Sequence, residues 1–139
     1  MININNLLII APHIDDETLG SGGTILKLKK LKKKVSMILV CESHGYTNNK
    51  KLLSEKERQI RKVKKKYLFN NFLRLNYPSS KMYKADEKEL IQKLNYVIEK
   101  IKPDTIILPF FNDAHSDHRI ISSAVQSAVK IFRKKYVKT

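Results

Sequence analysis

The sequence predicts an α/β fold with a mostly parallel sheet, and three observations carry that prediction. Short apolar runs of strand length alternate with longer amphipathic segments, in the order strand then helix, four times over. Groups of metal-ligand type follow two of the strand candidates: His13, Asp15 and Asp16 come after the first, His115, Asp117 and His118 after the last. Neither an internal repeat nor a Pro/Ser-rich linker interrupts the chain, so its 139 residues read as a single domain over 1–139.

The elements follow in order. Leu7-Leu8-Ile9-Ile10 is a fully buried strand candidate. After Asp16, Leu19, Gly22, Gly23 and Leu26 step along one side of a helix, with Ile25, Leu28 and Leu31 widening its apolar face. Glycines inside a helix cost about 1 kcal/mol each relative to Ala, so Gly22 and Gly23 imply close backbone packing against the sheet or a site. Val35 to Val40 returns as a strand and closes a βαβ unit. Leu52 to Leu68 is a strongly basic helix with Leu53, Ile60, Val63 and Tyr67 as its inner row, and Phe72 to Leu75 is a weaker strand. Asp86 with Glu89 three positions on is a capping-box pattern. It opens a helix in which Leu90, Ile91, Leu94, Val97, Ile98 and Ile101 recur at helical spacing, and Pro103 ends it. Thr105 to Leu108 is the last strand, and Ile120, Ile121, Ala124, Val125, Ala128, Val129 and Phe132 mark the last amphipathic helix.

Composition narrows the function classes. No apolar run approaches the roughly 18 residues of a membrane span, and the N-terminus lacks the features of a secretory signal peptide. A cytoplasmic location is therefore expected. The single Cys41 cannot form an internal disulfide and reads as a buried structural thiol. The net charge of +15 is concentrated in three blocks, Lys27 to Lys34, Lys50 to Lys66 and Lys130 to Lys138. Such a field attracts polyanions. However, the basic residues are mostly Lys on helical faces, with no interleaved aromatic platform and no nucleic-acid motif. Solvated helix faces are the simpler reading, and nucleic acid is not the expected partner.

The two clusters carry the chemistry. In open parallel α/β sheets, ligands bind where loops at the carboxyl ends of strands converge, and both clusters lie there. A catalytic zinc takes three nitrogen or oxygen ligands and keeps a fourth position for water. His13, Asp16 and His118 make a sufficient set, which leaves Asp15, His115 and Asp117 for proton chemistry. A turn with a helix N-cap accounts for either cluster alone, but poorly for the pair. His44 and Gly45, after the second strand, are read as near the site or as surface loop. Tyr46, Asn48 and Asn49 are candidates to contact a hydroxyl-bearing ligand or ordinary loop residues, and Asn112 and Asp113 are candidates to support the ligands or touch substrate.

The run Ala11-Pro12-His13-Ile14-Asp15-Asp16-Glu17-Thr18-Leu19-Gly20, with Gly22-Gly23, resembles the Pro-His-x-Asp-Asp-Glu signature of the LmbE-like, or PIG-L, de-N-acetylases. Asn112-Asp113-Ala114-His115-Ser116-Asp117-His118 resembles the family's later His-x-Asp-His signature. The resemblance extends from Ile4 to about Phe132 and implies a Rossmann-like three-layer sandwich. It also implies zinc-dependent removal of acetyl from an N-acetylated amino sugar or its conjugate. By position, His13, Asp16 and His118 would bind the metal and Asp15 would act as general base. His115 would stabilise the oxyanion and protonate the leaving amine, with Asp117 orienting and charging it. Zinc is the expected ion, and two His with one carboxylate also suit ferrous iron.

Three departures set further expectations. Ile14 stands where the family commonly has Pro. Arg58 is followed by Arg61 where the family usually has an Arg-x-x-Glu pair. Family members usually continue past the last motif with strands that wall the substrate pocket, so a domain short of that C-terminal portion is expected. The competing readings are a basic module for nucleic acid or an anionic surface and an inactive deacetylase fragment, with oligomerisation left open.

Overall fold

The computed structural model describes residues 3–43, 47–130 and 134–138. Four strands, β1 (Asn6–Ala11), β2 (Lys34–Glu42), β3 (Phe72–Pro78) and β4 (Thr105–Ile107), form one all-parallel sheet in the order β3-β2-β1-β4. Four helices alternate with them: α1 (Asp16–Lys30), α2 (Lys50–Tyr67), α3 (Glu87–Ile101) and α4 (Ser116–Val129). The α/β expectation therefore holds. A 3-10 turn at Met82–Lys84 precedes α3.

Side chains alternate across a strand, and β1 divides its apolar residues between two cores. Leu8 and Ile10 pack with Ile38, Leu94, Ile98, Ile121 and Val125, from β2, α3 and α4. Leu7, Ile9 and Ala11 pack with Met37, Leu39, Ile25, Leu28 and Ile60, from β2, α1 and α2. Helices thus cover both faces of a sheet whose central strands are apolar throughout, the arrangement parallel sheets require.

Two details of α1 differ from expectation. Leu19, Leu26 and Leu31 are exposed, and the inner face is Glu17, Ser21, Gly22, Ile25 and Leu28. Of the two glycines, only Gly22 sits at a close approach. A Cβ there would lie 2.9 Å from Tyr67 Oη of α2, whereas one at Gly23 meets nothing within 4 Å. The contact is with the neighbouring helix rather than with the sheet.

The helix ends follow their chemistry. Asn49 caps α2 by accepting from the Lys51 and Leu52 amides, and Asp86 caps α3 by accepting from the Glu89 amide at 2.8 Å. The α4 helix ends at Val129, so the expected extension to Phe132 lies outside the described residues. The lysines of α2 are mainly exposed, as solvated helix faces should be. Among the described residues, no helix is long and apolar enough to cross a membrane.

The topology places the site. The chain runs outward from β1 to β2 and β3, then returns to the other side of β1 as β4. Strand order reverses between β1 and β4, and the crevice at their carboxyl ends is where such sheets bind ligands.

Candidate metal centre

Two segments meet at this switch point. The loop after β1 carries His13, Asp15 and Asp16 into the start of α1, and the loop after β4 carries Asp113 and His115 into the start of α4. Pro12 prolongs the β1–β2 ladder by accepting from the Cys41 amide at 2.9 Å, which anchors the first loop.

Three donor atoms converge there. His13 Nδ1 lies 3.4 Å from Asp16 Oδ2, His118 Nε2 lies 3.3 Å from the same oxygen, and the two ring nitrogens are 3.3 Å apart. At ligand distances of about 2.0–2.1 Å, the edges of a tetrahedral zinc shell measure about 3.3 to 3.4 Å. The triangle therefore has the dimensions of one face of such a shell, and these residues fit a divalent ion. A second grouping, His13, His115 and Asp117, also falls within ligand reach of itself. It is the weaker candidate, because the Asp117 carboxylate is already held by backbone donors.

Each imidazole of the triangle is oriented from behind by a carboxylate, as metal-binding histidines commonly are. His13 Nε2 lies 3.1 Å from Asp117 Oδ2, and His118 Nδ1 lies 3.1 Å from Asp113 Oδ2. Asp117 is fully buried and also accepts from the Ser80 amide at 2.7 Å and the Met82 amide at 3.3 Å. Asp113 in turn accepts from the His115 amide at 2.8 Å.

The electrostatics follow from these contacts. Burial disfavours the charged form of His13, but the hydrogen bonds with Asp16 and Asp117 outweigh it and hold the imidazole above its usual value. Burial likewise opposes ionisation of Asp16. The side-chain and backbone hydrogen bonds from His13 prevail and hold its carboxyl below the usual range.

Asp15 occupies the N-cap position of α1, yet its side chain makes no capping bond. Its carbonyl receives the Thr18 and Leu19 amides instead, and the exposed carboxylate lines the same cavity as His13, Asp16, His115 and His118. Ordinary helix capping therefore does not account for this side chain. The cavity measures about 660 Å³.

His115 is exposed, and its Nδ1 accepts from the Asp117 amide at 3.2 Å. The expected pairing of the Asp117 carboxylate with His115 is not the arrangement present. The carboxylate serves His13, and its residue meets His115 through the backbone. The reason is position: Asp117 lies in the first turn of α4 and faces inward, while His115 precedes the helix.

Other expectations sort as follows. His44, Gly45 and Tyr46 lie outside the described residues. Asn49 uses its side-chain oxygen to cap α2, and Asn112 is exposed. Asp113 supports the His118 imidazole. Two features escaped sequence reasoning. Glu17 is buried at 1% exposure; its Oε1 receives the Thr18 hydroxyl, and its Oε2 has no partner among the described residues. Burial pushes its carboxyl up. Glu42, Glu57 and Arg74 form a salt-bridged cluster that lines the cavity on its β2–β3 side.

An open parallel α/β domain with a His, Asp, His donor triangle at its switch point defines a class of proteins equipped to hold a metal ion. Within it, this chain belongs to the PIG-L family, GlcNAc-PI de-N-acetylase, whose model matches residues 8–129. It is similar to a conserved protein from Thermus thermophilus, at 25% identity and a TM-score of 0.79 over 91% of this chain and 56% of the other. It is similar in fold to N,N'-diacetylchitobiose deacetylase from Pyrococcus horikoshii, at 22% identity and a TM-score of 0.78, over 93% of this chain and 51% of the other. A third similar fold is GalB, the 4-carboxy-2-hydroxymuconate hydratase from Pseudomonas putida, at 20% identity and a TM-score of 0.69, over 90% of this chain and 55% of the other. The chain spans little more than half the length of these proteins. Since both a deacetylase and a hydratase share the fold, activity must be argued from the site.

Proposed function

We propose that this domain is a metal-dependent deacetylase that hydrolyses the acetamide of an N-acetylated amino sugar or its conjugate. The observation that carries the reading is the donor triangle of His13, Asp16 and His118 with the carboxylate of Asp15, which makes no capping bond, in the same cavity. Membership of the PIG-L family agrees with it.

His13, Asp16 and His118 would hold a zinc ion, which would supply Lewis-acid polarisation of the amide carbonyl and acidify water; the same donors also suit ferrous iron. Asp117 and Asp113 hold the two imidazoles so that His13 Nδ1 and His118 Nε2 face Asp16 and each other, the positions from which they would hold the ion. Asp15 accepts the proton of the attacking water. With Nδ1 accepting from the Asp117 amide, neutral His115 carries its proton on Nε2 and donates to the carbonyl oxygen as negative charge develops there. The proton gained by Asp15 passes to the departing nitrogen as the C–N bond breaks, leaving acetate and a free amine. Transfer of this kind contributes about 10² to 10⁴ in rate. In the alternative arrangement His115 protonates the departing nitrogen.

The test is a panel of N-acetylglucosamine derivatives incubated with the zinc-loaded chain, with acetate and primary amine followed together. Equal release of both, lost on chelation, supports the reading. Absence of release from every member, with zinc bound, would contradict it.

A further inference from the structure

We infer that Glu42, Glu57 and Arg74 form a charge-closed clamp that admits an uncharged, hydroxyl-bearing ring beside the metal centre and turns away an anionic substituent. The inference rests on the deacetylase reading for the identity of the ligand as a sugar.

The three residues come from separate elements. Glu42 ends β2, Glu57 lies on α2 and Arg74 on β3, and all line the cavity that holds His13, Asp15 and His118. Arg74 Nε meets Glu42 Oε1 at 2.5 Å and Nη2 meets Glu42 Oε2 at 2.6 Å, a bidentate pairing. Nη1 and Nη2 also reach Glu57 Oε2 and Oε1, at 3.1 and 2.5 Å.

A guanidinium has five N–H donors, and these contacts engage four of them. Arg74 therefore keeps no free edge with which to grip a phosphate or carboxylate in the forked geometry that makes Arg an anion receptor. Lys56 lines the same side of the cavity and adds one flexible ammonium. Together Lys56 and Arg74 balance Glu42 and Glu57, so this side carries no net charge in a chain whose formal charge is +15.

What remains available is acceptor capacity. An ionised carboxylate has about four lone-pair sites, and the Glu57 side chain is 41% exposed. Sugar hydroxyls are donors that suit those oxygens. An anionic group placed there would meet two carboxylates, no unoccupied guanidinium and only the single ammonium of Lys56, an arrangement that favours an uncharged group.

The experiment measures binding by calorimetry, on the zinc-loaded chain, of N-acetylglucosamine and N-acetylglucosamine 6-phosphate. The native chain is expected to bind the neutral sugar at least about fivefold more tightly. Glu57→Gln, which opens one edge of Arg74, is expected to shift that ratio about five- to tenfold toward the phosphorylated sugar. Glu42→Gln provides a second opening of the clamp, and the melting temperature of each variant reports on folding. A native preference for the phosphorylated sugar, an unchanged ratio in both folded variants, or failure of both sugars to bind would overturn the inference. Because the readout is binding, absence of acetate release would count against the deacetylase reading and leave the clamp supported.

Discussion

His13 Nε2 and Asp117 Oδ2 lie 3.1 Å apart, although the two residues are 104 positions apart in the chain. The contact joins the two halves of the site, because Asp117 is buried in the start of α4 while His13 presents its other nitrogen to the donor triangle. Asp117→Asn is expected to weaken zinc binding by about 10- to 100-fold. Competition against a chromophoric chelator measures it, and unaltered affinity would show that Asp117 does not tune His13.

Substitutions at Asp15 and His118 test the proposed division between proton chemistry and metal binding. Asp15→Ala should abolish turnover while retaining one zinc per chain, and His118→Ala should lose metal and activity together. Elemental analysis of the purified variants decides between these roles. Metal loss in the Asp15 variant would make it a ligand.

Gly22 and Gly23 are adjacent yet should respond to Ala with opposite signs. At Gly22 the new methyl meets Tyr67 Oη at 2.9 Å, and Tyr67 is buried with its hydroxyl donating to Thr18 Oγ1. Destabilisation of about 1–3 kcal/mol is expected. At Gly23 the methyl is unopposed, so improved helix propensity should stabilise by about 0.5–1 kcal/mol. Urea unfolding of the pair reads both signs, and equal shifts would refute the packing account.

Cys41 should be inert in the native chain. It is 3% exposed, and burial, with the charges of Asp117 and Asp16 nearby, pushes its thiol well up. Iodoacetamide at neutral pH should leave the folded chain unlabelled and modify it fully in denaturant. Rapid native labelling would contradict this burial.

Glu57 gives a pH prediction. Its hydrogen bonds with Arg74 hold the carboxyl below its ordinary value of 4.5. A depressed folded value means the pair stabilises the protein above that ordinary value and loses its contribution as pH falls through the lower folded one. The pair is largely exposed, so the effect is about 1 kcal/mol or less. The stability difference between the native chain and Glu57→Gln should be constant from pH 7 to about 5 and shrink below about 4.5. A difference that grows with acidification would reverse the assignment.

Periodicity made the alternating strands and helices legible, because a two-sided sheet needs continuous apolar strands and one-sided helices. It failed on α1. Leu19, Leu26 and Leu31 fit a helical stripe, but the sheet lies on the side of Ser21, Ile25 and Leu28, which only tertiary packing decides. The His and Asp clusters were legible because they follow β1 and β4. The orientation of Asp117 was not, since spacing alone cannot say whether the inward side chain of a helix's first turn meets a neighbour in sequence or His13 across the crevice. Glu42, Glu57 and Arg74 carry no motif, and only the fold brings their three elements to one cavity.

The most direct measurement is a zinc titration of the metal-free chain while acetate release from an N-acetylated amino sugar is followed. The account predicts a linear rise in rate that breaks at one equivalent of zinc per chain. A rate indifferent to zinc, or no zinc taken up at all, would contradict it.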